Sequence, residues 1–292
     1  MLQIHFLGCC GLHTIVLAVT DHKEGIIVNI VIITDLEGIS GVDTMEMVSE
    51  KCTPGHRFAL ERLMLDANAA IEGLFEGGAN KVYVIDGHGS GNNFIQEILD
   101  PRAIHLISGG AWGAWYDLIK KGEIDACIEI GLHAMPGTIN GFLDHTQSSK
   151  SWYNYIVNGR KSGEIAQGAI FAGAYDVPFI MVSGDEAACV EAREFLGDIE
   201  CAVVKYGIGR NKARLVDLDE ALNRIKEAAC KSIRLIGSAK PYKPLMPLEI
   251  KIEYYRTDMC KSRLERDANV ERIDARAVRK IVYKIESYHD IL

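Results

Sequence analysis

Proline is scarce, seven in 292 residues, and no stretch crowds Pro, Gly and Ser together. That excludes collagen-like and low-complexity chains. A basic excess is missing too: 32 Lys and Arg stand against 40 Asp and Glu, for a formal net charge of −8. Nucleic acid is therefore not expected as the main partner, because phosphate binding needs a basic surface. The eight cysteines form no CxxC pair, so neither a zinc ribbon nor a thioredoxin-like redox site is expected. Several lie in apolar runs, such as Cys127 in IDACIEIGLH, where a small buried thiol is the plain reading, and a reducing, cytoplasmic compartment is expected. There is no G-x-S-x-G elbow, no G-x-G-x-x-G after a strand and no internal repeat.

Long uninterrupted apolar runs are also lacking. Residues 2–19 come nearest, but His5, Gly8, Gly11 and His13 break them. No basic segment precedes this run and no A-x-A site follows, so it makes a poor signal peptide and a poor membrane span. Residues 1–27 are read as an N-terminal extension of uncertain role. They are either an arm that packs or contacts another subunit, or the result of a start codon placed too early; targeting is the remaining alternative. No membrane partner is expected.

What is present is an ordinary globular balance, 48% hydrophobic and 25% charged, in a length suited to one large domain or two. VNIVIIT (28–34) is a β-branched apolar run, the mark of a strand buried on both faces. Residues 55–76 carry apolar positions at helical spacing and stop at Gly77-Gly78. KVYVID (81–86) is the next strand. Further strands are expected at 104–109, 126–133, 179–184 and 201–207, with helices near 111–121, 162–175, 185–196 and 216–234. Behind the linker 240–247, LEIKIEYY reads as a strand, followed by a charged stretch and a final helix or strand pair. Strands alternating with helices predict an α/β fold with a mostly parallel sheet flanked by helices. The expected division is an α/β domain over 28–210 and a smaller C-terminal α+β portion over 211–292.

Open α/β sheets bind ligands at the carboxyl ends of their strands. Three such ends here carry groups able to hold a metal: Asp35 and Glu37, His88, and His133. Each alone is unremarkable in a loop. Their coincidence at equivalent strand ends predicts a site, since carboxylates and neutral imidazoles are the ligands of catalytic zinc.

Five motifs occur in order: DLEGISG (35–41), DGHGSGNN (86–93), GLHAMPGT (131–138), LDHT (143–146) and NGRKSGEI (158–165). Together they resemble the D-aminopeptidase family typified by the bacterial dipeptide-operon enzyme, and the resemblance runs from about Val28 to the C-terminus. The family's S-x-D-x-E-G key keeps its Asp, Glu and Gly here; Ile33 replaces its leading serine. The resemblance implies two zinc ions held by Asp35, Glu37, His88, His133 and Glu164, with Asp35 as the bridging carboxylate. It implies His145 as the catalytic histidine, with Asp144 or Thr146 as candidates to orient it. Without the resemblance, Glu164 reads only as an acidic residue favouring a helix start. The implied activity is aminopeptidase hydrolysis of short peptides carrying an N-terminal D-residue, in a homo-oligomer that is a decamer in the typical member. Residues that bind the substrate are not identified, although Trp152-Tyr153, close behind His145, is a candidate for the substrate entrance. Two rivals stay open: a non-catalytic peptide- or metal-binding protein linked to dipeptide uptake, and a metal-dependent hydrolase of another amide.

Overall fold

The computed structural model of the chain describes residues 27–49, 51–89, 91–107 and 111–292; of residues 111–114 it describes the backbone alone. The expected extension over 1–27 lies outside these residues except for Ile27, as do His5 and His13. In chain order the elements are β1 (Asn29–Thr34), α1 (Met45–Ser49), α2 (Pro54–Gly77), β2 (Lys81–Asp86), β3 (Ile104–His105), α3 (Ala111–Lys120) and β4 (Ala126–Leu132). Then come β5 (Trp152–Val157), β6 (Arg160–Ser162), α4 (Glu164–Gly173), β7 (Phe179–Asp185), α5 (Glu186–Leu196), β8 (Glu200–Gly209) and β9 (Lys212–Leu215). The chain closes with α6 (Leu218–Ser232), β10 (Leu248–Tyr254), α7 (Thr257–Arg266), β11 (Val270–Asp274) and β12 (Ala277–Val282).

Seven strands form the first sheet, in the order β3-β2-β1-β4-β7-β8-β9. All neighbours are parallel except the edge pair β8 and β9. β1 lies inside the sheet, with Thr34 opposite Asp86 of β2 on one side and Ile130 of β4 on the other. Its side chains alternate, so Ile30 and Ile32 enter the core beneath α2 and α6, while Val31 and Ile33 enter the core on the opposite face. Both faces are covered, which is why the strand reads as unbroken apolar sequence. Burying each such side chain contributes about 1.5–3 kcal/mol.

Local chemistry sets the long helix. Thr53 caps α2 by accepting from the His56 amide, Pro54 stands in its first turn, and Gly78 ends it at φ 109°. This is the asymmetry of a helix that starts with Pro and stops at left-handed Gly. The expected strand over 104–109 is shorter than its sequence suggests: only Ile104–His105 pairs, along β2, and residues 108–110 are outside the described set.

A second, five-stranded sheet runs β11-β12-β10-β5-β6. Its β5–β6 hairpin turns at Asn158-Gly159, both at positive φ (49° and 80°), the pattern that tight two-residue hairpins demand. The sequence reading placed no strand here. β9 and α6, behind residue 210, complete the first sheet and its helical cover, and β10 reaches back to pair with β5 (Ile252 with Tyr155). The second sheet packs on the same core as Val31, Ile33, Phe171 and Tyr288.

Candidate functional site

The order of the first sheet reverses at β1, which has β2 on one side and β4 on the other. A crevice opens beyond the strand ends at such a switch point. β1 delivers Asp35 and Glu37 to it, β2 delivers His88, and β4 delivers His133. The exit of β1 is pressed against the end of β4, where the Gly38 amide donates to the Gly131 carbonyl at 2.7 Å. A Cβ on Gly38 would lie 2.1 Å from the Leu132 oxygen, and one on Gly131, itself at φ 83°, would lie 2.4 Å from the Asp35 oxygen. The glycines of D-L-E-G and G-L-H are thus required by the close approach that brings the side chains together.

Buried polar groups brace this loop from beneath. Lys205, fully buried, donates to the carbonyls of Glu37 (2.7 Å) and Val42 (2.6 Å). Ser40 is held by Asp66 and Arg62. Burial pulls the Lys205 ammonium down to about 7 against the opposing pull of Asp66, Asp185 and Glu37. In the His88 loop, Asp86 accepts from the Asn93 amide and side chain, and Asn93 in turn donates to the His88 carbonyl at 2.9 Å.

All six residues expected at the site meet there. His88 Nδ1 lies 2.9 Å from Asp35 Oδ1 and 3.0 Å from Glu37 Oε2. His133 Nε2 lies 3.2 Å from Asp35 Oδ2 and 3.6 Å from Glu164 Oε1. His145 Nε2 is 4.0 Å from Glu37 Oε1. Two sets of potential ligand atoms, His133–His145–Glu164 and Asp35–Glu37–His133, each fall within 4.8 Å. Glu164 opens α4, and its Oε1 accepts from the Gln147 amide at 2.6 Å.

Burial pushes the Asp35 carboxyl up, yet hydrogen bonds and charge from His133 and His88 outweigh it and hold the group well below its usual range. The two histidines shift the other way. Burial pulls His88 down and Glu37 and Asp35 overcome it; for His133, Asp35 and Glu164 do the same. Without a metal, these imidazoles carry the positive charge that the carboxylates demand. Even so, Asp35 Oδ2, Glu37 Oε2 and His133 Nε2 are buried and meet only other ionisable site groups, Oδ2 with His133 Nε2 and Oε2 with His88 Nδ1, in alignments short of a well-formed hydrogen bond. Buried atoms of this chemistry, converging from different strand ends, suit a divalent metal.

The imidazoles are oriented by backbone. His133 Nδ1 is 3.1 Å from the Ala134 carbonyl and His145 Nδ1 is 2.8 Å from the Leu143 carbonyl. Carbonyls only accept, so in each neutral ring the proton sits on Nδ1 and Nε2 is free to bind or accept. Asp144 does not do this work. It accepts from the Gly137 amide at 2.6 Å and faces Arg210, while Thr146 Oγ1 is buried without a hydrogen bond among the described residues. The loop is tightly made: Leu143, buried, sits at φ 52°, and Gln147 at φ 56°, strained values for such residues.

Trp152 and Tyr153 are not at the entrance. Trp152 packs against Tyr155 and Tyr254 in the second sheet, and Tyr153 lies edge-on to Tyr255. Sequence reading missed Glu129, Glu191 and Lys205, each a charge inside an otherwise apolar context. Glu191 Oε2 accepts from the Met135 amide at 2.6 Å, and burial pushes its carboxyl up to about 7. Glu129 lines the cavity over the site, about 440 Å³ in volume.

The D-aminopeptidase family, peptidase family M55, matches residues 28–292. A D-aminopeptidase of Bacillus subtilis is 31% identical over 215 residues, covering 72% of this chain and 75% of that protein. Among solved structures, the zinc-dependent D-aminopeptidase of the same organism, described as a self-compartmentalizing protease, superposes with a TM-score of 0.81. That likeness covers 90% of this chain and 94% of the other at 24% identity, and it shows a shared fold.

Proposed function

The chain belongs to the D-aminopeptidase family, and from that premise we propose that it removes the N-terminal residue, of D configuration, from short peptides at a binuclear zinc site. One observation carries this reading: six groups of metal-ligand and proton-transfer chemistry meet at the strand ends within 4.0 Å of a neighbour in the set, with Asp35 Oδ2, Glu37 Oε2 and His133 Nε2 buried among them.

Asp35, Glu37, His88, His133 and Glu164 would hold the zinc ions. Asp35 suits the bridging role because its two oxygens face different histidines, Oδ1 toward His88 and Oδ2 toward His133. Zinc in such a donor set supplies Lewis acidity, which polarises an amide carbonyl and makes water nucleophilic near neutral pH. The chain's own groups do the rest. His145, its Nδ1–H fixed on the Leu143 carbonyl, keeps Nε2 as the proton acceptor and later returns the proton to the leaving amine. The Gln147 amide fixes Glu164, and the buried Lys205 holds the backbone of Glu37. We take the chain to act as a homo-oligomer, a decamer by the family resemblance, in the cytoplasm. No described helix is long and apolar enough to cross a membrane.

The test is hydrolysis of a panel of D- and L-aminoacyl amides by zinc-loaded protein, with metal content from elemental analysis. Two zinc ions per chain with turnover of D-aminoacyl amides is the expected result. Bound zinc with no turnover on any member would favour a binding protein, and turnover confined to acyl amides without a free amine would point to another amidase.

A further inference from the structure

We propose that Glu129 and Tyr116 form a subsite for a primary ammonium group of the substrate, in the cavity lined by Asp35, Glu37, His88, His145 and Glu164. Glu129 stands inside β4, where register sets it between Ile33 of β1 and Val182 of β7. It is 3% exposed. An apolar side chain would fill that position at no electrostatic cost, and the strand is otherwise apolar. A carboxyl persists there only with compensation.

The protein supplies little. Glu129 Oε2 and the Tyr116 hydroxyl are both buried with no hydrogen-bond partner among the described residues. Both residues line the same cavity, alongside Glu164 and Gly168. Room for the carboxyl is made by Gly168 of α4, where a Cβ would stand 2.9 Å from Glu129 Oε1. Tyr116 and Tyr288 present nearly parallel rings 6.3 Å apart at 22°. Two unmatched acceptors and aromatic walls therefore face a space that a small ligand group can enter.

Hydrogen-bond donors select the ligand. A primary ammonium has three donors; it can donate to the unpartnered Glu129 carboxylate oxygen and to the Tyr116 oxygen, and lie against the rings. An anion brings no donor to either oxygen. Two sources share this chemistry: the free α-amine of the scissile residue, and the side-chain amine of a lysine-like residue. The proposal rests on the aminopeptidase reading for the word substrate, and the test separates the two.

The experiment compares wild-type, Glu129→Gln and Glu129→Leu proteins, all zinc-loaded, with metal content and melting measured on each preparation. Calorimetry reads binding of n-butylammonium, D-alaninamide and propanamide. Steady-state kinetics reads D-alanyl, D-lysyl and D-norleucyl anilides. Both variants are expected to keep their metal, and Glu129→Gln its melting temperature. Glu129→Gln should weaken n-butylammonium binding about 10- to 100-fold and leave propanamide unchanged. A collapse of the D-alaninamide preference over propanamide, with a matching rise in KM, assigns the subsite to the α-amine. A collapse of the lysyl-over-norleucyl ratio instead assigns it to a side chain. Unchanged n-butylammonium affinity in Glu129→Gln overturns the proposal, as does a fall in kcat with KM unaltered. If wild-type protein cleaves no anilide, the aminopeptidase reading fails, while n-butylammonium binding and its loss still decide the subsite.

Discussion

The imidazoles of His133 and His145 are stacked, their centroids 3.9 Å apart and their planes 15° from parallel. Each ring is anchored by Nδ1 to a backbone carbonyl, so both Nε2 atoms turn toward the site carboxylates. His133 is fixed among Asp35 and Glu164, whereas His145 approaches Glu37 no closer than 4.0 Å. In the function we propose, the pair divides into a ring that holds a metal, His133, and a ring that moves a proton beside it, His145.

That division is testable on one preparation. His145→Ala should keep both metals and the melting temperature while losing roughly 10²- to 10⁴-fold in kcat, the scale of a general acid–base group. Loss of metal would make His145 a ligand. Lowered melting with turnover per folded molecule unchanged would make it merely structural, and so would refute its catalytic role.

Asp35 and His88 should behave differently. Asp35 serves both histidines, so Asp35→Ala should abolish metal loading and activity together. His88→Ala removes one ligand from one side and should leave partial metal content. Two metals per chain retained by Asp35→Ala, measured by elemental analysis, would contradict the bridging assignment.

Zinc must compete with protons here. Asp35, Glu37 and Glu164 hold His88 and His133 well above the usual imidazole range, so in the metal-free protein both are cationic at neutral pH. Binding should release about two protons per chain and tighten as pH rises. Calorimetric zinc titrations in buffers of different ionisation enthalpy measure that release directly; none at pH 7 would show the histidines already neutral.

Glu191 gives a stability prediction with a definite sign. Its folded-state carboxyl is raised to about 7 from the ordinary 4.5, so between these values the folded protein keeps a proton that the unfolded chain has released. Its contribution is fully present below pH 4.5 and is lost as pH rises through 7. Glu191→Gln keeps an acceptor for the Met135 amide and does not titrate. Metal-free variant and wild type should converge at pH 5, and the variant should gain about 1–3 kcal/mol relative to wild type by pH 8. Denaturant midpoints at the two pH values check this, and taking the difference cancels the titration of His88 and His133.

Lys205→Met tests the brace beneath the site. Two buried carbonyls, of Glu37 and Val42, would lose their donor, at about 1–3 kcal/mol each if no water replaces it. Metal content should fall along with stability, although Lys205 donates only to backbone. Unaltered zinc affinity in a folded Lys205→Met protein would show that the Glu37 loop holds its shape unaided.

Much of this was legible in sequence for local reasons. β1, β2 and β4 declare themselves because strands buried on both faces must be apolar throughout, and α2 declares its end through Gly77-Gly78. Asp35, Glu37, His88 and His133 stand out because they follow such strands directly. Glu164 and His145 do not: one looks like a favourable first-turn acid, the other like a loop histidine, and only the family resemblance singles them out. The β5–β6 hairpin carried a readable signal in Asn158-Gly159, but its partner β10 lies some ninety residues on, and no local pattern reveals that pairing. The Leu143 carbonyl, rather than the Asp144 side chain, orients His145 because backbone direction depends on a positive φ that sequence does not announce. Glu129 was overlooked although a lone charge inside CIEIG is itself the signal.

The pairing of β10 with β5 has a further consequence for the life of the chain. The loop bearing His145 and the helix start bearing Glu164 flank the β5–β6 hairpin, and an isolated hairpin is marginal in water. Its neighbour β10 is made more than eighty residues after it, and β12, which pairs with β10, later still. During synthesis the strand ends carrying Asp35, His88 and His133 can form early, but Glu164 and His145 wait for the second sheet. With the centre we propose, a nascent chain is expected to lack two of its six groups in place, and peptide-cleaving competence to arrive only when nearly the whole polypeptide has folded.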